Sequence, residues 1–298
     1  MSYKHWFVAS AMWVGLAVVA WAQPPYKALL VDGQNVSSHP WKETSPVLKK
    51  LLVETGLFTV ETATSPAKGQ DMSGFKPSFA GHQVVVLNYQ GDDWPAETQK
   101  AFVDYVKGGG GVVVFHFACA AFPQWKEYNE IIGLGGWFRD AKTGTAVHWR
   151  DGKIVYDDTP GEKCGGHGPS QTFQLVIRDA NHPITKGLPE KFMHGPDELY
   201  GWLRGPAKNL TVLATAFAPK DDGKGGKGGS DEHEPLLFTV AYGQGRVVQN
   251  AMGHTAKELK SVAFIVTFQR CAEWAATGKV TQKVPADFPG PDKTSVRE

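Results

Sequence analysis

Cysteine is scarce in this chain. Its 298 residues hold three, Cys119, Cys164 and Cys271, with no CxxC pair or similar cluster. That excludes a zinc ribbon, a thioredoxin-type redox centre and a dense disulfide framework, and an odd count leaves at most one bridge within the chain. Net charge is lacking as well. Thirty-one Lys and Arg face 30 Asp and Glu, a formal +1, which offers no broad electrostatic footprint for nucleic acid or anionic lipid. No GxxxxGK[ST] occurs, and the Gly108 to Gly111 run precedes a strand and lacks GxGxxG spacing, so no nucleotide cofactor is expected. A GxSxG elbow is missing, as are HExxH and HxH, so neither a serine nucleophile nor a compact metal motif is marked.

Apart from its beginning, the chain has no long hydrophobic run. Lys4, the uncharged stretch 7–19 and Ala20-Trp21-Ala22 before Gln23 have the order of a signal peptide. The apolar part is shorter than the roughly 20 residues a spanning helix needs. Cleavage after Ala22 is therefore expected, giving an exported protein, periplasmic or extracellular, with no stable membrane anchor. What remains is ordinary globular material: 42% hydrophobic and 20% charged, with 34 glycines and 19 prolines marking many turns.

The first half reads as alternating strands and helices. Short apolar runs at 27–32, 58–61, 84–88 and 112–115 predict strands. Helices are predicted over 96–107 and after Ser45, with Ser45 as cap, Pro46 in the first position and Gly56 as the stop. Continuous apolar strands separated by helices predict a mainly parallel sheet covered on both faces. The second half is more irregular and β-rich. Strands are predicted at 145–149, 172–177, 199–203 and 210–216, a hairpin over 236–250, and one long helix over 257–276. Residues 221–234 read as a mobile Gly-rich loop within a single domain spanning 23–280, and 281–298 as a flexible tail.

In an open parallel sheet, ligands gather beyond the carboxyl ends of the strands. That rule selects Asn35, His39 and Trp41 after the first strand, His116 after the fourth and His254 after the hairpin. His167 and His194 lie in Gly- or Pro-flanked segments that let a ring approach a ligand, whereas His182, in Asn-His-Pro, reads as a structural turn. Asp197 and Glu198 are the nearest acidic pair. Adjacent residues on a strand face opposite ways, so only one of them can meet a given pocket. One carboxylate with several imidazoles suits general acid/base chemistry or a divalent metal, for which His39, His116 and His254 are candidates. Cys119, three residues past a strand end, reads as a small core thiol rather than a nucleophile.

These segments, in order, resemble the ThuA-like (trehalose utilisation) family of the class I glutamine amidotransferase-like superfamily. The resemblance rests on Asp32-Gly33-Gln34-Asn35 with His39-Pro40-Trp41-Lys42, the glycine turn into Val112 to His116, His182-Pro183-Ile184-Thr185, Asp197-Glu198-Leu199-Tyr200, and Tyr242 to Val247 leading to Gly253-His254. It implies a flavodoxin-like three-layer α/β sandwich. It also implies that His116 stands where amidotransferases carry their nucleophilic cysteine, so glutamine hydrolysis is not expected. The combined expectation is an exported carbohydrate-processing enzyme acting on a small sugar or oxidised sugar by isomerisation, hydration, elimination or hydrolysis. His116, His254 and Glu198 are its candidate catalytic groups, and Asn35, His39, Trp41, His167 and Asp197 its candidate substrate contacts. The alternative is a carbohydrate-binding protein that has lost catalysis.

Overall fold

The structure, a computed structural model, describes residue 1 and residues 25–136, 144–161, 163–220 and 229–298. Residues 2–22 of the expected leader and residues 221–228 of the Gly-rich stretch lie outside the described residues. Four strands, β1 (Tyr26–Asp32), β2 (Phe58–Thr64), β3 (Val84–Leu87) and β4 (Gly111–Phe115), run parallel in the order β2-β1-β3-β4. Every residue of β3 and β4 is buried, as strands covered on both faces must be. Helix α1 (Trp41–Glu54) follows β1, and α2 (Ala96–Lys107) lies between β3 and β4.

After β4 the chain makes a 3₁₀ turn (His116–Ala120) and a short helix α3 (Lys126–Ile132). Then come β5 (Thr145–Arg150), β6 (Lys153–Asp157), β7 (Gly166–His167), β8 (Gln171–Ile177), β9 (Lys191–Asp197), β10 (Tyr200–Gly201), β11 (Arg204–Gly205), β12 (Leu210–Ala218), β13 (Glu232–Tyr242) and β14 (Gly245–Asn250). β14 joins β4 in parallel, and β13, β12, β8 and β9 extend the sheet antiparallel to nine strands. β5, β6 and β11 form a small sheet, and β7 pairs with β10. The last helix, α4 (Val262–Thr277), packs with α1, and α2 packs with α3. With β4 against α4 and β14 touching both α2 and α4, the result is the expected α/β sandwich, its second half dominated by antiparallel strands.

Five local expectations are corrected. α1 starts at Trp41, five residues before Pro46, so the proline sits inside the helix and Ser45 does not cap it. Ser45 and Thr44 instead accept hydrogen bonds from Asn88 Nδ2 at 3.0 and 2.9 Å, which ties the first turn of α1 to the end of β3. The strand expected over 199–203 is two short bridging pieces, β10 and β11. The helix expected over 257–276 breaks at Ser261, which is extended (φ −61°, ψ 126°). The 281–298 segment, read as a loose tail, lies against the body: Met193 N–H donates to Gly290 O, Val262 N–H to Ser295 O and Arg297 N–H to Lys260 O, while Phe288 meets Phe192. Residues 232–234, read as part of a loop, begin β13.

Candidate functional site

Three chain crossings at the carboxyl edge of the parallel strands supply the site. β1 ends at Asp32 and its loop brings His39; β4 ends at Phe115 and hands over to His116; β14 ends at Asn250 and its loop carries His254. From the antiparallel side, β9 ends at Asp197 and delivers Glu198 and Tyr200. His116 turns the chain with φ +42°, in the left-handed region that costs a residue with a side chain of order 1–3 kcal/mol. Gly253, at φ +97°, sits where an added Cβ would be 2.8 Å from Phe264 and 2.9 Å from Phe115. Only glycine lets the chain pass so close and present His254.

Glu198 is the centre. Its Oε2 lies 3.6 Å from His39 Nε2 and 3.5 Å from His116 Nε2, and its Oε1 lies 3.3 Å from His167 Nε2 and 3.2 Å from His254 Nδ1. Tyr200 hydroxyl is 2.9 Å from His116 Nε2 and 3.2 Å from His39 Nε2. The rings are held from behind by backbone. His116 Nδ1 donates to Ala251 O at 2.8 Å, His167 Nδ1 to Gly168 O at 2.6 Å and His254 Nε2 to Ser38 O at 2.6 Å. A carbonyl only accepts, so in each ring the proton sits on the far nitrogen and the lone pair of the neutral ring faces Glu198.

Burial opposes ionisation of Glu198, but wherever the surrounding imidazoles take up protons their attraction, from His116 and His39 first and then His167, outweighs it and holds the carboxyl well below the ordinary range. Burial pushes His39 down to about 4, against the pull of Glu198, so it is neutral near pH 7. Burial also carries the Tyr200 phenol well above its usual value, which keeps it a proton donor.

Above this group opens a cleft of about 690 Å³ whose walls include His39, Gln90, Phe117, Lys163, His167 and Tyr200. His39 stacks on Phe117 with ring centroids 3.8 Å apart. His116 is 1% exposed and reaches the cleft only through Tyr200 and Glu198.

The structure thus brings His39, His116, His167, His254 and Glu198 together, and it separates the other expected contacts. Asp197 points away from the cleft, as the alternation of adjacent residues requires. It is fully buried, and its two oxygens accept from His194 Nε2 (2.7 Å), Gly253 N–H (2.6 Å), Glu198 N–H (2.8 Å) and His254 N–H (3.2 Å). It therefore fixes the two neighbouring site residues and has no lone pair aimed at a ligand. Trp41 opens α1 and lines a separate depression beside Asp32, Ser45 and Lys49. Asn35 accepts from Val36 N–H and borders a small void below the cleft with Asn88, His116 and His254.

His194 is a buried strand residue bonded to Ser261 and Asp197, and His182 accepts from Ile184 N–H in its turn. Cys119 is buried, which pushes its thiol up to about 12, so it is no nucleophile. Tyr200 is the residue sequence reasoning passed over. Its signal was its place two residues after Glu198, which in extended chain puts both on one side.

The profile of the ThuA family, described as trehalose utilisation, matches residues 27–275. A search of curated proteins finds no match. Among solved structures, a ThuA-like protein from Parabacteroides merdae ATCC 43184 is 45% identical, with a TM-score of 0.86 over 92% of this chain and 98% of that one. A ThuA-like protein from Bacteroides uniformis ATCC 8492 shares the fold at 19% identity, with a TM-score of 0.60 over 89% of this chain and 97% of that one.

Proposed function

The chain belongs to the ThuA family, and from that premise we propose that it is a carbohydrate-processing enzyme whose substrate, a small sugar or its oxidised derivative, sits in the cleft above Glu198. The observation that carries this reading is the meeting of four imidazoles and a phenol around one buried carboxylate at the cleft floor. His182 and His194 are each satisfied alone, the one by backbone and the other by Ser261 and Asp197, whereas four rings share one carboxylate at the cleft floor, a concentration typical of functional sites.

His39, His167 and Tyr200 border the cleft and meet the substrate. Tyr200 is the proton donor: its hydroxyl rests on His116 Nε2 at 2.9 Å and turns from there to give its proton to a sugar oxygen as charge develops on it. His167, on the cleft wall, and Glu198 form the complementary base, the ring taking a proton on Nε2 while Glu198 stabilises the imidazolium and His254 flanks the same carboxylate. Donor and base on either side of a carbonyl-bearing carbon suit enolisation, and with it isomerisation or elimination on an oxidised sugar. His116 and Glu198 lie behind the lining residues, so their part is to set the protonation of the groups in front.

The test is turnover of trehalose and keto-trehalose by purified protein and by His116→Ala. Loss of turnover by about 100-fold or more, with sugar still bound, is the expected result. Undiminished turnover removes His116 from the site; a protein that binds sugar and never turns it over is instead the non-catalytic carbohydrate binder. Export belongs to the same proposal, and mass spectrometry of the protein from its native host should show a chain beginning at Gln23.

A further inference from the structure

We infer that the Glu198 cluster is a binding site for one divalent first-row transition metal, with Glu198, His116 and His39 as its core ligands and His254 and His167 flanking them. The inference needs the site but not the sugar.

Three independent observations point to a cation. The first is spacing. Two ligand atoms about 2.1 Å from one ion in tetrahedral directions stand roughly 3.4 Å apart. His39 Nε2 and His116 Nε2 lie 3.6 and 3.5 Å from Glu198 Oε2, and the three ligand atoms all fall within 4.8 Å of one another. These separations are too long for charge-assisted hydrogen bonds, which close to about 2.7–2.9 Å.

The second observation is the direction of the rings. Backbone carbonyls claim the far N–H of His116, His167 and His254, leaving lone pairs turned toward carboxylate oxygens. Lone pair against lone pair is repulsive. The hydroxyl proton of Tyr200 reaches His116 Nε2 in the metal-free site and must turn away for this ring to bind an ion, and it does not extend to His167 or His254. A metal between them converts each repulsion into a bond, and a far N–H held by a carbonyl is the outer support that metal-bound imidazoles use. The third is that Glu198 Oε2 is buried, in a residue only 7% exposed, with no hydrogen-bond partner. A buried carboxylate oxygen without a donor is costly unless a cation meets it.

An imidazole-rich set with a single carboxylate selects Zn²⁺, Co²⁺, Fe²⁺ or Mn²⁺ over Mg²⁺ or Ca²⁺, which prefer oxygen. The cleft beside Tyr200 and His39 leaves an approach to the ion for a sugar oxygen or water.

The experiment uses the full chain, stripped with a chelator and dialysed into metal-free buffer, then titrated calorimetrically with Zn²⁺, Co²⁺ and Mg²⁺. One equivalent of Zn²⁺ and of Co²⁺ should bind, Co²⁺ with visible absorption bands, and Mg²⁺ should not compete. Glu198→Gln keeps shape and should weaken Zn²⁺ by more than about 100-fold, beyond the loss typical of outer support residues. His167→Ala, at the half-exposed edge, provides a variant whose folding is least at risk and should weaken it by about 10-fold. Sub-stoichiometric binding, preference for Mg²⁺, or Glu198→Gln binding Zn²⁺ like the parent would overturn the inference. Metal binding without sugar turnover leaves this inference standing and removes the proposed function; sugar turnover by a protein that takes up no stoichiometric Zn²⁺ or Co²⁺ does the reverse.

Discussion

At Glu198 the cost of burying a carboxylate dictates what its neighbours do. Asp197 meets that cost with four donors; Glu198 leaves Oε2 without one. The contrast between adjacent residues separates positioning from chemistry. Replacing Tyr200 by Phe removes one hydroxyl and no packing, so turnover should fall about 100-fold while the melting temperature stays within a few degrees. Steady-state kinetics beside a thermal melt will show it.

A second buried acid lies away from the cluster. Glu234 on β13 is fully buried, which raises its carboxyl from 4.5 to about 7 despite a hydrogen bond from Trp202 N–H. The folded state therefore holds this proton more tightly than the unfolded one. Its contribution is fully favourable below pH 4.5 and is lost as pH rises through about 7, a loss of roughly 3 kcal/mol. Urea unfolding between pH 4 and 8 should show that decline, and Glu234→Gln should flatten it.

Among the elements, β14 and its loop carry the most constraint. Gly253 must pass between Phe115 and Phe264 at a positive φ, so Gly253→Ala combines a clash with backbone strain. A loss of about 2–4 kcal/mol in chemical denaturation is expected, with His254 displaced.

The same scale shows what could be read from sequence. His39, His116 and His254 were legible because each follows a compact apolar strand, and sheet topology decides where such ends meet. β9 was not, since KFMHGPD holds Gly195 and Pro196 and no alternating pattern. α1 was misplaced because Pro46 mimics a first-turn proline, although the N–H it lacks leaves only the exposed early turn unpaired. Trp41 and Asp197 looked like site residues from position along the chain. Which way a side chain points from the start of a helix or the end of a strand is settled by packing, and both turn aside.

Across the whole molecule the parallel strands and their loops give His39, His116 and His254, while the β-rich second half gives His167, the carboxylate and the phenol. Neither half alone makes the site. The C-terminal segment links them, since it pairs with the backbone of β9 through Met193 and with the start of α4 through Val262. Deleting 285–298 should cost at least about 2 kcal/mol through lost hydrogen bonds and the Phe288 contact. Because β9 leads directly into Glu198, activity should fall further than stability alone explains.

The most direct test of the central claim is the rate at which wild-type protein and Glu198→Gln convert keto-trehalose, measured side by side at matched folding. Conversion by the parent and its loss by 100-fold or more in the variant is the predicted result. Equal rates in the two proteins, or a parent that neither binds nor converts any sugar offered, would contradict it.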